Sequence, residues 1–196
     1  IQSSTIGWTG GRLGGSALRF NGLNGRGNIF LPPALKRPAP ISVAAWIYPV
    51  TAGESNLGVI IGGGTNNWIF QMAVNAALTF ISATVAVTSG NNAVVFNRWS
   101  HVVATYDLVN VRLYVNGQLF TTGANTEALT TTTTMDIGNN GLSTRTFDGV
   151  IDEVRIWNRI LNMQDIQQLC TQPYCMFRQR SLYRWMPGRS NARLGA

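Results

Sequence analysis

The sequence predicts an all-β domain, a two-sheet antiparallel sandwich with one short helix after its last strand and a basic tail behind it. Three observations point there. Charged residues make up 12% of the chain while 21 residues are glycine, a composition suited to short strands and tight turns. Several segments alternate apolar and polar residues, or run apolar throughout, between turn signals. Helix signals occur only near the end.

The clearest strands are SALRFNG, ISVAAWIYP, WIFQMAV, HVVATYD and VRLYVNGQLF. In the last of these Leu113 and Val115 face one way and Arg112 and Tyr114 the other. Asn116-Gly117 stands where a two-residue hairpin turn needs positive φ. The stretches 62–67, 89–92 and 138–141 read as loops, and the threonine run 130–134 as the entry to a strand at Met135. Asn162 caps a helix, with Asp165 three residues on and Met163, Ile166, Leu169 and Cys170 along one apolar side. About a dozen strands in a chain of 196 residues make two sheets around one core. Residues 1–170 form this sandwich and 171–196 the tail.

The net charge of +7 is unevenly spread. The tail carries Arg178, Arg180, Arg184, Arg189 and Arg193 and no acid, leaving ten basic and eight acidic groups elsewhere, a net of +2. With Phe177, Leu182, Tyr183 and Trp185 interleaved, these are residue types enriched where proteins meet proteins. The tail is therefore expected to dock on a partner chain through Phe177, Arg178, Arg180, Tyr183, Arg184 and Trp185. Nucleic acid is disfavoured as a partner, because no nucleic-acid motif accompanies the arginines. No apolar run reaches the length of a membrane span, and residues 1–20 lack the pattern of a signal peptide. Cys170 and Cys175 flank Pro173; they read as two free thiols in preference to a disulfide closing a small loop.

Asp152 stands out. Counted by twos, Val150, Asp152, Val154 and Ile156 share one side of the last strand, and Ile151, Glu153, Arg155 and Trp157 the other. A carboxylate in a row of valines and isoleucines must be paired, hydrogen-bonded or bound to a metal. Hydrogen bonds from backbone N–H groups of the N-terminal turn, or an arginine such as Arg19, would satisfy it.

The acids exclude most hydrolytic chemistry. Glycoside hydrolysis usually needs two carboxylates about 5 to 10 Å apart, and Asp152 and Glu153 point oppositely. Asp148 with Glu153 is a conceivable pair, but Asp148 sits in an FDG turn where aspartate commonly bonds the backbone. His101, the single histidine, reads as structural at a strand start. GGRLGG at 10–15 lacks the lysine and helix of a phosphate loop. For sugar binding, NNWIF offers Asn66, Asn67 and Trp68, and a second loop offers Asn139 and Asn140; Trp68 reads at least as well as a core residue. Trp46, Trp99 and Trp157 read as core or inter-sheet packing.

The order GGSALRFNG, ISVAAWIYP, RWSHVVATYD, VRLYVNGQL, MDIGNN, FDGVIDEVRIWNRIL, across about residues 7–170, resembles the laminin G-like, concanavalin A-like lectin/glucanase domains. The resemblance implies a jelly roll of two antiparallel sheets, an extracellular or virion-surface location, and a non-catalytic binding or adhesion role with glycan as ligand. A purely structural decoration domain is the alternative, and a glycan-cleaving enzyme a lesser one. It also implies one structural Ca2+ at Asn21, Gly22, Asn24 and Asp152, although Asn21 stands where related sequences often have aspartate, which weakens such a site. The ending PYCMFRQRSLYRWMP is similar to those on such domains in bacteriophage-encoded virion proteins.

Overall fold

The computed structural model describes residues 6–32, 40–63, 68–130, 133–141 and 144–172. Two antiparallel sheets face each other. The first has seven strands in the order β1 (Gly7–Gly10), β2 (Ser16–Asn21), β13 (Asp148–Trp157), β4 (Ile41–Pro49), β9 (Ser100–Tyr106), β10 (Asn110–Val115), β11 (Gln118–Ala124). The second has six: β3 (Gly27–Phe30), β12 (Thr134–Ile137), β5 (Val59–Gly62), β6 (Ile69–Ala73), β7 (Ala77–Ser82), β8 (Val85–Thr88). The two last strands insert between early ones: β13 lies between β2 and β4, and β12 between β3 and β5. This is the expected jelly-roll sandwich.

The period of two in the sequence fills the space between the sheets. Val43, Ala45 and Ile47 of β4, Val102, Ala104 and Tyr106 of β9, and Val111 and Leu113 of β10 meet Phe70, Met72, Leu78, Phe80 and Met135 of the other sheet. Each fully buried side chain of that size contributes about 1.5–3 kcal/mol. Phe20 and Phe147 meet edge to face at 6.5 Å. Gly138, at φ +79, lets the chain pass over the Phe20 ring, where any Cβ would lie 2.1 Å from it.

Asn116 (φ 50) and Gly117 (φ 81) form the expected left-handed pair between β10 and β11. Helix α1 (Met163–Thr171) has the expected capping box: the Asn162 side chain accepts from Asp165 N–H, and the Asp165 carboxylate accepts from Asn162 N–H. Ile166 and Leu169 are buried against Ala44, Val103 and Tyr114 on the outer side of the seven-stranded sheet, with Leu161 and Trp157. Met163 is 41% exposed rather than part of that contact.

One register reading is overturned. The ladder between β13 and β4 shifts between Asp152 and Arg155: Asp152 pairs with Trp46 and Arg155 with Ala44, so two residues on β13 oppose one on β4. Glu153, at φ 51, is the bulged residue. It resets the alternation, so Ile151, Val154 and Ile156 reach the core, while Asp152, Arg155 and Trp157 share the outer side with their partners Trp46, Ala44 and Ser42. Asp152 therefore does not share a row with Val154 and Ile156. Trp46 and Trp157, read as core or inter-sheet packing, also lie on the outer side, and Trp99 packs against outward-facing Tyr48 at the rim.

Candidate ligand-binding face

The outer side of the seven-stranded sheet is built in rows. One row runs across three strands, Arg19 of β2 opposite Val150 of β13 and Val150 opposite Tyr48 of β4. It ends on Trp99, whose ring meets that of Tyr48 at 5.7 Å and 63°. Both rings are half-buried and Arg19 is exposed. At two strand spacings, Arg19 and Tyr48 stand about 10 Å apart at their Cα atoms. The next row holds Asp152, Trp46 and His101, in register on β13, β4 and β9. Helix α1 covers the rows beyond.

The second row is tightly built. The turn between β1 and β2 crosses it, placing the Arg12 guanidinium 4.9 Å from the centre of the Trp46 ring, a cation–π contact. Arg12 N–H donates to Asp152 Oδ2 at 2.8 Å, and Glu153 N–H donates to Asp152 Oδ1 at 2.9 Å. Gly11 makes the approach possible, since a Cβ there would lie 2.6 Å from Asp152 Oδ2. His101, 3% exposed, lies 5.2 Å from Trp46 by ring centres. Burial, reinforced by the positive charge of Arg155, pushes its pKa down to about 4, so it is neutral near pH 7. Trp46 Nε1 and His101 Nδ1 are buried without a hydrogen-bond partner.

The residues read as ligand contacts sit elsewhere. Trp68 is 4% exposed and stacks on Phe80 at 5.7 Å inside the core, so its ring offers no open surface to a sugar. Asn139 and Asn140, at 0% and 7% exposure, spend their amides on the protein itself. Asn139 donates to Gly25 O and Thr146 Oγ1 and accepts from Asn140 and Arg145 N–H; Asn140 Nδ2 donates to Thr144 Oγ1. They fasten loops together. Asn66, Asn67, Cys175 and the tail residues from Phe177 to Trp185 lie outside the described residues. Cys170 is a free thiol.

The residues named for calcium do not converge. Asn21 pairs with Asp148, and Gly22 N–H donates to Phe147 O. Asp152 stands four residues further along β13, about 13 Å away, with both carboxylate oxygens already accepting backbone N–H groups. Asn21 Oδ1 accepts from Leu23 N–H within its own turn. The set Asn21, Gly22, Asn24 and Asp152 does not fit one ion. Among the described residues no group of three His, Cys, Asp or Glu side chains gathers.

Taking the charges together defines the face. All eight acidic residues are engaged within the molecule. Glu54 accepts from Thr146, Asp148 from Thr51, and Glu127 from Thr84, Val85 and Ser82. Asp107, Asp136, Glu153 and Asp165 pair with Arg112, Arg26, Arg155 and Arg159, and Asp152 holds Arg12 N–H. Asp148 and Glu153 lie five residues apart on one strand, about 16 Å, beyond the separation a glycosidase pair uses. Arg145 donates to Gln71 Oε1. Among the described arginines, Arg12, Arg19 and Arg98 alone have no side-chain acceptor, and all three are exposed. Arg12 and Arg19 belong to this one face, and Arg98 immediately precedes Trp99 in the chain.

The fold and the ordered segments along it place the chain in a defined class of proteins, lectin-like jelly rolls. It belongs to the Concanavalin A-like lectin/glucanases superfamily, whose laminin G-type model matches residues 23–167. Among solved structures it is similar to domain 4 of AbnA, a GH43 extracellular arabinanase from Geobacillus stearothermophilus, in complex with arabinotriose. That match has 23% identity and a TM-score of 0.67 and covers 86% of this chain and 82% of that one. The binding domain of Paraclostridial Mosquitocidal Protein 1 (14% identity, TM-score 0.71) is covered to 47% by 89% of this chain. A heptameric SAP-like pentraxin from Limulus polyphemus (13% identity, TM-score 0.55) is covered to 83% by 77% of it. The chain thus spans less than half of the toxin binding domain. No curated protein sequence matches it significantly.

Tyr48 and Trp99 were absent from the sequence-derived ligand set. A signal existed: in ISVAAWIYP, Tyr48 shares the parity of Ser42, Ala44 and Trp46 and so faces away from Val43, Ala45 and Ile47. Because the segment is apolar on both sides, it reads as doubly buried, which hides the outward row.

Proposed function

We propose that the chain is a non-catalytic glycan-binding module, displayed extracellularly or on a virion as part of a larger assembly, with the outer face around Tyr48 and Trp99 as its binding surface. The observation that carries this reading is the half-buried Tyr48–Trp99 pair in register with Arg19. Rigid aromatic rings can stack on the apolar side of a sugar while neighbouring donors take its hydroxyls. The engagement of all eight carboxylates supports the absence of hydrolysis. The arabinotriose bound to the similar arabinanase domain supports glycan as the ligand class.

The test is a glycan array probed with the folded chain and with Trp99→Ala and Tyr48→Ala. Selective signals that both substitutions abolish support the reading; silence from a chain shown to be folded, or signals indifferent to both, overturn it.

A second reading, a structural decoration domain, draws on a different observation. Among the described residues, the three most exposed large apolar side chains, Trp8 at 65%, Leu23 at 67% and Phe30 at 83%, all lie on β1, β3 or the β2–β3 loop, along one side of the sandwich. That side suits a protein contact within an assembly. On the virion reading, the tail from Phe177 to Trp185 would anchor the chain there.

A further inference from the structure

We infer that the outer face selects glycans bearing an anionic substituent, a carboxylate or a sulfate, through Arg12, Arg19 and Arg98. The inference rests on the glycan-binding reading and goes further by naming the chemistry of the ligand. Three features carry it.

The first is selectivity of pairing. Every carboxylate of the chain is committed internally, and so are Arg26, Arg112, Arg145, Arg155 and Arg159. Among the described residues, the arginines left without an acceptor are not scattered. Arg19 lies in the Val150–Tyr48 row, Arg12 stacks on Trp46 two residues along β4 from Tyr48, and Arg98 adjoins Trp99. A guanidinium presents a planar fork of donors that matches a carboxylate or sulfate two oxygens at a time.

The second is preorganisation. Arg12 is held at its backbone by Asp152 and at its guanidinium plane by the Trp46 ring, which leaves the edge N–H groups as the available donors. Arg19 issues from a strand paired on both sides. Neither must give up a protein partner to take a ligand.

The third is sign. Of the acids on this face, Asp152 is 9% exposed and holds two backbone N–H groups, Glu153 is paired with Arg155, and half-buried Asp148, at the start of β13, accepts from Thr51 Oγ1. Arg12 and Arg19 are the exposed charges of the two rows, and exposed Arg98 adjoins Trp99 in the chain. Spacing them around aromatic rings suits a sugar ring carrying one or a few negative groups.

The experiment measures binding of the full chain by calorimetry to oligosaccharides matched in size: neutral cello-oligosaccharide, carboxylated oligogalacturonate and sulfated heparin hexasaccharide, each at about 20 and about 300 mM salt. A carboxylated or sulfated probe should bind about tenfold or more above the neutral one and weaken with salt, and the two acidic arms identify which anion is preferred. The double variant Arg19→Gln/Arg98→Gln should lose about tenfold more for that probe than for the neutral one, whereas Arg159→Gln, the loss of one charge at the Asp165 pair, should not matter. Neutral probe bound as well as both acidic ones, or a double variant as tight as the parent, overturns the inference while leaving glycan binding standing. A single-stranded oligonucleotide bound more tightly than either acidic glycan also overturns it. Absence of binding to all three, together with a silent array, removes the glycan reading itself.

Discussion

Asp152 accepts the backbone N–H of Arg12 at 2.8 Å, joining positions 140 residues apart in the chain. The same carboxylate accepts the N–H of Glu153, the bulged residue. One side chain therefore fixes the first turn, the bulge of the last strand and, through Arg12, the covering of Trp46.

Asp152→Asn keeps an acceptor and should cost about 1 kcal/mol, whereas Asp152→Leu strands two buried donors and should cost about 2–4 kcal/mol. Gly11→Ala should resemble the leucine variant, since its Cβ would intrude on the carboxylate. Urea denaturation of the three variants checks the order; equal costs for asparagine and leucine would show that the bonds to Arg12 and Glu153 contribute little.

His101 makes the protein sensitive to mild acid. Its folded pKa of about 4 lies below the ordinary value of 6.5, so between these two pH values the unfolded chain binds a proton that the folded chain refuses. Stability from this group is complete above about pH 6.5 and falls as pH drops toward 4, by about 3 kcal/mol in all. His101→Gln should flatten that slope whatever it does to stability at neutral pH. Denaturant midpoints at pH 7, 5.5 and 4.5 decide it, a variant with the parent's slope ruling His101 out.

Glu127 clasps the β7–β8 hairpin. Its carboxylate accepts from Thr84 Oγ1 and from Thr84 and Val85 N–H, and these bonds hold its pKa below the ordinary glutamate range. A lowered carboxylate pKa stabilises above the unfolded value, and the contribution disappears as pH falls through the folded one. Glu127→Gln should speed amide exchange at Thr84 and Val85 at pH 7, and its difference in Tm from the parent should shrink below about pH 4. A difference that stays constant with pH would assign the effect to packing.

Trp68 and Trp99 separate core from surface. Trp68→Ala removes a buried ring stacked on Phe80 and should cost about 3–5 kcal/mol, too much for a clean binding experiment. Trp99→Ala, at a half-buried ring, should cost about half as much or less and leave the near-ultraviolet signature of the core in place. Thermal unfolding of both variants tests the contrast.

Most of the architecture was legible because it rests on local chemistry. Asn116-Gly117 can take two left-handed residues, Asn162 and Asp165 cap each other, and alternation in VRLYVNGQL sorts its residues between core and surface. What failed was what local chemistry does not hold. Nothing in VIDEVRIW announces that Glu153 is an extra residue, since a bulge is a property of the pairing with Trp46 and Ala44. One unannounced residue split the expected row: Val154 and Ile156 face the core, while Val150 and Asp152, read as sharing their side, face outward. Trp68, Asn139 and Asn140 follow an apparently open glycine loop, yet whether a loop side chain turns inward depends on Phe80, Gly25 and Thr146, which only the folded chain brings against them. Conversely, the surplus of arginine becomes visible only when each carboxylate is matched with its partner in space.

The insertion of β13 between β2 and β4, and of β12 between β3 and β5, has a consequence for how the chain is made. During synthesis, β2 and β4 emerge early with no stable edge to join, and each sheet stays split until residues beyond 134 have left the ribosome. Both sheets close only when β12 and β13 arrive, so the earlier strands wait with apolar faces uncovered and folding is delayed until Trp157 has been made. A nascent chain released before Trp157 would hold two open sheets instead of a smaller domain, and would be expected to engage chaperones or aggregate.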